Sequence, residues 1–289
     1  MQMDRREFLR VTGAATVAVA VGGAACSRNA ETLSAPRQFS IDNVGLQLYT
    51  VRTLMAQSVE NTLAQVANAG YRLVETAGTY NLPPAAFRTL LGRFGLRSPS
   101  GHYALEQVET GNAINTAHAL GQTWVVVPSI PQALRRTREA YVDLATRFNR
   151  IGEQCRKAGL RFAYHNHDFE FETLGANTPV YDTLLTRTDP ATVWFELDAY
   201  WAYKAGQDPA AYFERFPGRF ALLHVKDGTA PPERAMVDVG KGVIDFRRLF
   251  ALSRTAGLRL AFVEHDQPGD ALASIRASHD HLARLLSAA

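Results

Sequence analysis

The chain has 289 residues, of which 46% are hydrophobic, and a formal net charge of +3 at pH 7. This apolar fraction is ample for a hydrophobic core, and the weak net charge supplies no basic field of the kind that attracts nucleic acid. We therefore expect no nucleic-acid partner. Cys155 is the only cysteine after Cys26, which excludes an internal disulfide framework and a cysteine zinc cluster in that region. We expect Cys155 to be buried on a helix.

Residues 1–37 are predicted to be an export signal and a disordered linker. The paired Arg5 and Arg6, followed by Phe8 and Leu9, are typical of a twin-arginine signal, and the weakly apolar stretch 11–25 is too short to span a membrane. Residues 23–26 resemble the cleavage site of bacterial lipoproteins, except that Gly23, three residues before Cys26, stands where Leu is usual. We expect export to the periplasm. Lipidation of Cys26 stays open, and an anchor there is the only membrane contact expected.

The rest of the chain, residues 38–289, is predicted to be a single catalytic domain of eight strand–helix units. Its roughly 250 residues are the usual size of one eight-fold barrel. The strands are predicted at 44–49, 71–75, 96–102, 123–128, 161–166, 193–198, 220–226 and 258–264. Helices that end at Gly70, Gly95, Gly159 and Gly257 separate several of them. This alternation predicts a parallel sheet, and eight units favour a closed (β/α)8 TIM barrel. No glycine-rich phosphate loop follows an early strand, which argues against a dinucleotide fold.

Four apolar strands in the second half end at residues that bind divalent metals: His165, Asp198, His224 and Glu264. The carboxyl ends of the strands of a closed parallel barrel meet at one mouth, so these four side chains should converge. Imidazole and carboxylate together suit Mn, Co, Zn or Fe better than calcium. We therefore predict one divalent ion at the mouth.

Each of these residues has a simpler interpretation. Asp198 could cap a helix, although Pro209 marks the next clear helix start. His224 could be a hydrogen-bonded histidine of the core. Glu264 would be costly to bury unpaired, so we expect a cation beside it, either the metal or Lys226. Glu75 and His102 end the second and third strands and should face the same mouth, or else form a salt bridge or a loop hydrogen bond. Trp201 could pack at the rim or form the floor of a sugar site.

Together, these segments resemble the xylose-isomerase-like barrel superfamily, which holds sugar isomerases and epimerases, inosose dehydratases, keto-glycoside lyases and an apurinic endonuclease branch. The resemblance covers essentially everything after residue 40. It is carried by residues 45–52, 164–171, 197–198, 224–227, 239–245 and 263–264. The resemblance implies one ion held by a fifth-strand carboxylate, a sixth-strand Asp, a seventh-strand His and an eighth-strand Glu. Asp198, His224 and Glu264 match this pattern. His165 stands where the carboxylate is expected, so the fourth ligand is either His165 or Glu170.

The predicted chemistry is removal of a proton next to a carbonyl, with a divalent ion stabilising the resulting enediolate. His167 lies two residues past His165, with the same strand parity, and is our first choice as base. Glu75 or Glu170 would serve as the second acid or base. Lys226 and His102 would orient substrate oxygens. We place Lys226 in the catalytic group and assign substrate binding to the following residues: Gln47, Tyr49, His102, Trp201 and Asp227.

The first interpretation of this pattern is a metal-dependent sugar isomerase or epimerase. A keto-glycoside lyase or inosose-type dehydratase would use the same site and is the alternative. A lipid-anchored barrel that binds sugars without chemistry is the alternative of another class. Because sugar phosphates are cytoplasmic intermediates, an exported protein should act on a free sugar or a keto-sugar. A homo-oligomer would be in keeping with similar barrels, in which dimers and tetramers are frequent.

Overall fold

Eight parallel strands close into a barrel in the computed structural model of the protein, which describes residues 39–287. Each strand pairs with its neighbours along the chain, and the last strand pairs with the first. The strands are β1 (Val44–Gln47), β2 (Leu73–Thr76), β3 (Arg97–His102), β4 (Trp124–Val127), β5 (Arg161–His165), β6 (Val193–Asp198), β7 (Phe220–Val225) and β8 (Leu260–Val263). The predicted (β/α)8 TIM barrel is confirmed.

Helices connect the strands around the barrel. They are α1 (Arg52–Gln57), α2 (Val59–Asn68), α3 (Pro84–Arg93), α4 (Leu105–Glu109), α5 (Asn112–Leu120), α6 (Arg138–Lys157), α7 (Val180–Arg187), α8 (Ala199–Lys204), α9 (Pro209–Arg215), α10 (Phe246–Ala251), α11 (Ser253–Ala256) and α12 (Ala271–Ser287). A short antiparallel pair, Asp227–Gly228 with Met236–Val237, follows β7. Among the described residues, no helix is both long and apolar enough to cross a membrane.

Glycines end the helices where the sequence analysis expected them. Gly159 after α6 and Gly257 after α11 have φ angles of +74° and +81°, in the left-handed region that favours glycine. Each lets the chain leave its helix and enter the next strand within a few residues. Cys155 lies on α6, buried and unpaired, as predicted.

One helix contradicts the sequence analysis. Helix α8 begins directly after β6, whereas Pro209 was expected to mark the next helix start. Asp198 caps α8, because its Oδ1 accepts a hydrogen bond of 2.9 Å from Trp201 N. Capping uses only one carboxylate oxygen, so it does not exclude a second role for the other.

The inside of the barrel changes from apolar to polar along the strands. Trp124, Ala163 and Leu222 belong to a small buried apolar cluster. On β5 and β7 the residues two positions further along, with the same parity, are the polar His165 and His224. The apolar layer closes one end of the barrel, and the polar residues are left at the carboxyl end. The predicted export signal, with Arg5, Arg6 and Cys26, lies outside the described residues.

Candidate active site

A cavity of about 500 Å³ opens at the carboxyl ends of the strands. Six residues that the sequence analysis assigned to the site line it: Tyr49, His102, His165, His167, Lys226 and Glu264. Arg52, Asp266 and Gln267, which it did not assign, line the cavity as well. This end of a TIM barrel is the one that carries active sites.

The four predicted metal ligands meet beside this cavity. One ligand atom each of Asp198, His224 and Glu264 lies within 4.8 Å of the others, and all three side chains are buried. His224 Nδ1 is 2.8 Å from Glu264 Oε2. His165 Nε2 is 3.6 Å from Asp198 Oδ2, so His165 lies next to this group of three ligands.

This set of donors fits a divalent ion. Asp198 Oδ2 is buried and accepts no hydrogen bond from the described residues, although the Lys226 ammonium lies 3.0 Å away. The same ammonium is 2.7 Å from Glu264 Oε2. Burial raises the pKa of the Asp198 carboxyl to about 6, against the effect of the Lys226 charge. A buried carboxylate is stable only beside a cation, and imidazole with carboxylate suits Mn, Co, Zn or Fe. His165, Asp198, His224 and Glu264 could therefore hold one such ion.

A second group of charged side chains lies beneath these ligands, inside the barrel. Glu196 Oε2 lies 2.9 Å from His102 Nε2, 3.0 Å from His165 Nδ1 and 3.1 Å from His224 Nε2. Glu75 Oε2 lies 2.8 Å from His224 Nε2 and 3.0 Å from His102 Nε2. Both carboxylates are fully buried. His165 and His224 therefore each direct one ring nitrogen towards the mouth ligands and the other towards the inner carboxylates.

The inner carboxylates set the charge of His102. Burial favours its neutral form, but Glu75 and Glu196 outweigh burial and raise the pKa of His102 to about 9. Burial and the Glu75 charge oppose ionisation of Glu196, yet the surrounding histidines lower its pKa to about 2. At neutral pH, His102 is therefore a cation with one edge in the cavity.

His167 has a different environment, although it lines the same cavity. Its ring stacks on Phe169 at 5.8 Å, and its Nδ1 is buried without a partner among the described residues. Burial and the nearby Lys226 charge lower the pKa of His167 to about 3. His167 is therefore a neutral imidazole that lines the cavity, and its role as the base stays a prediction.

Glu170 lies outside the site, which corrects its assignment as catalytic residue or fourth ligand. Its carboxylate accepts hydrogen bonds from the Tyr164 hydroxyl and, at 2.8 Å, from His167 N. Tyr164 has the opposite strand parity to His165, so its side chain points away from the barrel interior. Burial there raises the pKa of Glu170 to about 8. Since Glu170 is held behind the strand, His165 is the fifth-strand residue that reaches the mouth.

Four further assignments also change. Glu75 does not line the cavity, because it accepts hydrogen bonds from Gln47 and Ser100 below the mouth, and Gln47 is equally buried. Asp227 accepts four backbone N–H groups, those of residues 228, 240, 242 and 244, at 2.9 to 3.2 Å. It therefore anchors the loop after β7 instead of contacting substrate. Trp201 is not among the residues that line the cavity; its ring centroid lies 5.6 Å from that of His167.

Sequence reasoning missed Glu196 and Asp266. Glu196 carried a signal, because it lies two residues before Asp198 and shares its inward parity. Asp266 lies in the loop after β8, where no periodicity applies, and its Oδ1 is 2.8 Å from Lys226 Nζ.

The fold and this cavity define a TIM barrel with a polar, charged pocket at its catalytic face. The chain belongs to the xylose isomerase-like TIM barrel family, which it matches over residues 63–285. This confirms the family resemblance.

Among its relatives, an inosose dehydratase from Lacticaseibacillus casei is 26% identical over 190 residues, which is 58% of this chain and 63% of that protein. The match thus spans less than two thirds of the relative's length. A sugar phosphate isomerase/epimerase structure from Parabacteroides distasonis ATCC 8503 has a TM-score of 0.74 and 26% identity, and covers 88% of this chain and 99% of that one. An L-ribulose 3-epimerase structure, at 16% identity, has a TM-score of 0.67 over 85% of this chain and 94% of that one, which shows the shared fold. These relatives are enzymes.

Proposed function

We propose that this protein is a metal-dependent lyase that removes a hydroxyl or glycosyloxy group next to the activated carbon of a keto-sugar or keto-polyol. The observation that carries the proposal is the combination of one neutral base, His167, with two cations, His102 and Lys226, in one cavity. Elimination needs one base for the carbon-bound proton and one acid for the leaving oxygen.

The cavity residues divide these tasks as follows. His167 takes the proton from the carbon beside the carbonyl, and the electron pair of that C–H bond forms the new C=C bond. The C–O bond to the neighbouring carbon breaks, and His102 or Lys226 gives a proton to the departing oxygen. A divalent ion bound by His165, Asp198, His224 and Glu264 would supply Lewis-acid stabilisation of the charge that develops on substrate oxygens.

A two-base epimerisation is less well supported. Glu75 and Glu170 were predicted as the second acid or base, but neither lines the cavity. Two carboxylates, Glu264 and Asp266, belong to the described lining of the cavity. Glu264 is assigned to the metal, and Asp266 is paired with Lys226. An isomerase or epimerase is nevertheless the second candidate, because the similarity to the Parabacteroides distasonis isomerase/epimerase spans most of both chains.

The cations of the cavity argue for a substrate without phosphate. Arg52 uses two of its five N–H groups, on the carbonyl oxygens of Tyr49 and Asp266 at 2.8 and 2.7 Å, but the other two cations are already paired. Lys226 is surrounded by carboxylates, and His102 lies between two more. A phosphate would need donors that are free to bind it. This agrees with our inference from the twin-arginine motif that the protein is exported and meets free or oxidised sugars.

Incubation of metal-loaded protein with inososes, keto-sugars, keto-glycosides and free sugars in deuterated water, followed by NMR, tests the function. Elimination releases water from a hydroxyl group or an alcohol from a glycosyloxy group. The remaining product is a conjugated enone that absorbs in the ultraviolet. Deuterium uptake without loss of a group supports an isomerase or epimerase instead. Ligand binding without turnover, with the metal present, identifies a sugar-binding barrel and overturns both catalytic proposals. The metal-stripped protein is the control.

A further inference from the structure

His165 and Glu196 form a buried pair across two neighbouring strands. They are direct partners in the register of β5 and β6, and His165 Nδ1 is 3.0 Å from Glu196 Oε2. The side chains are 3% and 0% exposed. Glu196 is therefore held by the sheet itself, beneath a residue that borders the metal ligands.

This pair decides which nitrogen of His165 carries the proton. A carboxylate oxygen only accepts hydrogen bonds, so Nδ1 must be the donor. The neutral ring then keeps its lone pair on Nε2, the atom that lies 3.6 Å from Asp198 Oδ2. Ligation to a metal requires that lone pair, and the hydrogen bond at the other nitrogen selects it.

The pair also adds charge to the ligand set. Asp198 and Glu264 carry one negative charge each, whereas His165 is neutral. A carboxylate hydrogen-bonded to a metal-binding imidazole makes the ring a stronger donor. Glu196 Oε1 accepts no hydrogen bond from the described residues. Its Oε2 also lies 2.9 Å from His102 Nε2 and 3.1 Å from His224 Nε2, so His165 receives a share of the Glu196 charge.

We propose that Glu196 is a positioning residue that fixes the tautomer of His165 and adds, through that ring, part of a negative charge to the metal ligands. This inference rests on the metal site of the proposed function. The competing interpretation is a second ion among His102, His165, Glu196 and His224, whose ligand atoms also lie within 4.8 Å of one another. That arrangement would require both His165 and His224 to bridge two ions, so we favour the positioning role.

Glu196→Gln tests the proposal. The amide can donate to His165 Nδ1 and thereby favour the wrong tautomer, so the affinity for Mn²⁺ or Co²⁺ should fall about 10- to 100-fold. In the metal-stripped protein, nitrogen-15 NMR should show His165 changing from the Nδ1–H to the Nε2–H tautomer. Glu75→Gln is the matched control, because Glu75 contacts His102 and His224 but not His165. It should leave the His165 tautomer unchanged.

A second variant, His165→Glu, tests the charge argument. A carboxylate ligand needs no tautomer and brings its own charge, so Glu196→Gln should leave the affinity of His165→Glu unchanged or make it tighter. An equal loss of affinity in both backgrounds overturns the proposal, as does an unchanged tautomer in Glu196→Gln. Two ions per parent chain, with one lost in Glu196→Gln, establish the second site instead. A parent protein that binds no ion refutes the metal site of the proposed function. The tautomer measurement on the metal-free protein still tests whether Glu196 holds the proton of His165 on Nδ1.

Discussion

The Lys226 ammonium lies 2.7 Å from Glu264 Oε2, so a buried cation stands beside a carboxylate that we assign to the metal. It also lies 3.0 Å from Asp198 Oδ2. A divalent ion held by these oxygens would share them with the ammonium or displace it. Lys226 therefore opposes metal binding while it stabilises the protein without metal.

Lys226→Gln should accordingly bind metal more tightly and turn over substrate more slowly. Removing a positive charge a few ångströms from the ion should raise the affinity about tenfold or more. The metal-free variant should lose about 3–5 kcal/mol of stability, because buried carboxylates are left unpaired, and metal should restore most of it. Metal titration and thermal unfolding measure both effects. Lys241→Gln removes an exposed lysine as control, and equal affinities in the two variants would contradict the competition.

Metal affinity should increase with pH. Asp198, whose buried carboxyl has a pKa of about 6, must be ionised to bind. His224 must lose a proton as well; although burial opposes its charged form, Glu196 and Glu264 raise its pKa well above the ordinary value. From about pH 5 to pH 7 the affinity should therefore rise by about tenfold or more per pH unit. Calorimetry in buffers of different ionisation enthalpy should show proton release on binding. A flat affinity over this range would refute the ligand assignment.

His167→Ala should retain the metal and the fold but lose most turnover. A general base contributes about 10² to 10⁴ in rate, so the loss should be large but not total. Elemental analysis and steady-state kinetics give the two readouts. His118→Ala, which changes an exposed histidine on α5, is the control. Loss of metal from His167→Ala would make that residue a ligand, and an unchanged rate would remove it as the base.

Glu170→Gln should stabilise the protein at alkaline pH without affecting metal content. The unfolded carboxyl loses its proton near pH 4.5, whereas burial keeps it protonated in the folded protein up to about pH 8. The native state therefore binds the extra proton in this window, and stability falls as pH rises through it. Glutamine removes that loss, which is on the order of a few kcal/mol above pH 8. Denaturant unfolding of both proteins at about pH 5 and pH 8.5 measures it. If the free energy of unfolding changed equally with pH in the two proteins, Glu170 would not be a buried neutral carboxyl.

Export should depend on the paired arginines of residues 1–37. Replacing both Arg5 and Arg6 with Lys should leave the precursor in the cytoplasm, because the apolar stretch after them is weak. Fractionation of cells that express the two forms gives the measurement. Normal export of the double variant would rule out the twin-arginine route.

Much of the barrel was predictable because local rules determine it. Glycines such as Gly159 and Gly257 end helices wherever the chain needs a positive φ, and apolar runs between them form strands. The strand ends of a closed parallel barrel meet by topology, so His165, Asp198, His224 and Glu264 could be named together from the sequence. The helix after Asp198 was missed, because its start carries a capping residue that also ends a strand.

What the tertiary structure decided is the position of each charge relative to the mouth. Strand parity gives the side of the sheet, but Glu170 lies past the end of β5, where the chain turns back behind the strand and parity no longer applies. Depth is equally hidden, because Glu75 and Glu196 face the barrel interior like the ligands do, yet lie below them and bind histidines instead of substrate. The sequence by itself determined the order of the strands and that His165, Asp198, His224 and Glu264 end four strands of one barrel. Only the packing of neighbouring strands determined which carboxylate stands behind each histidine, because those contacts join residues that are far apart in the chain.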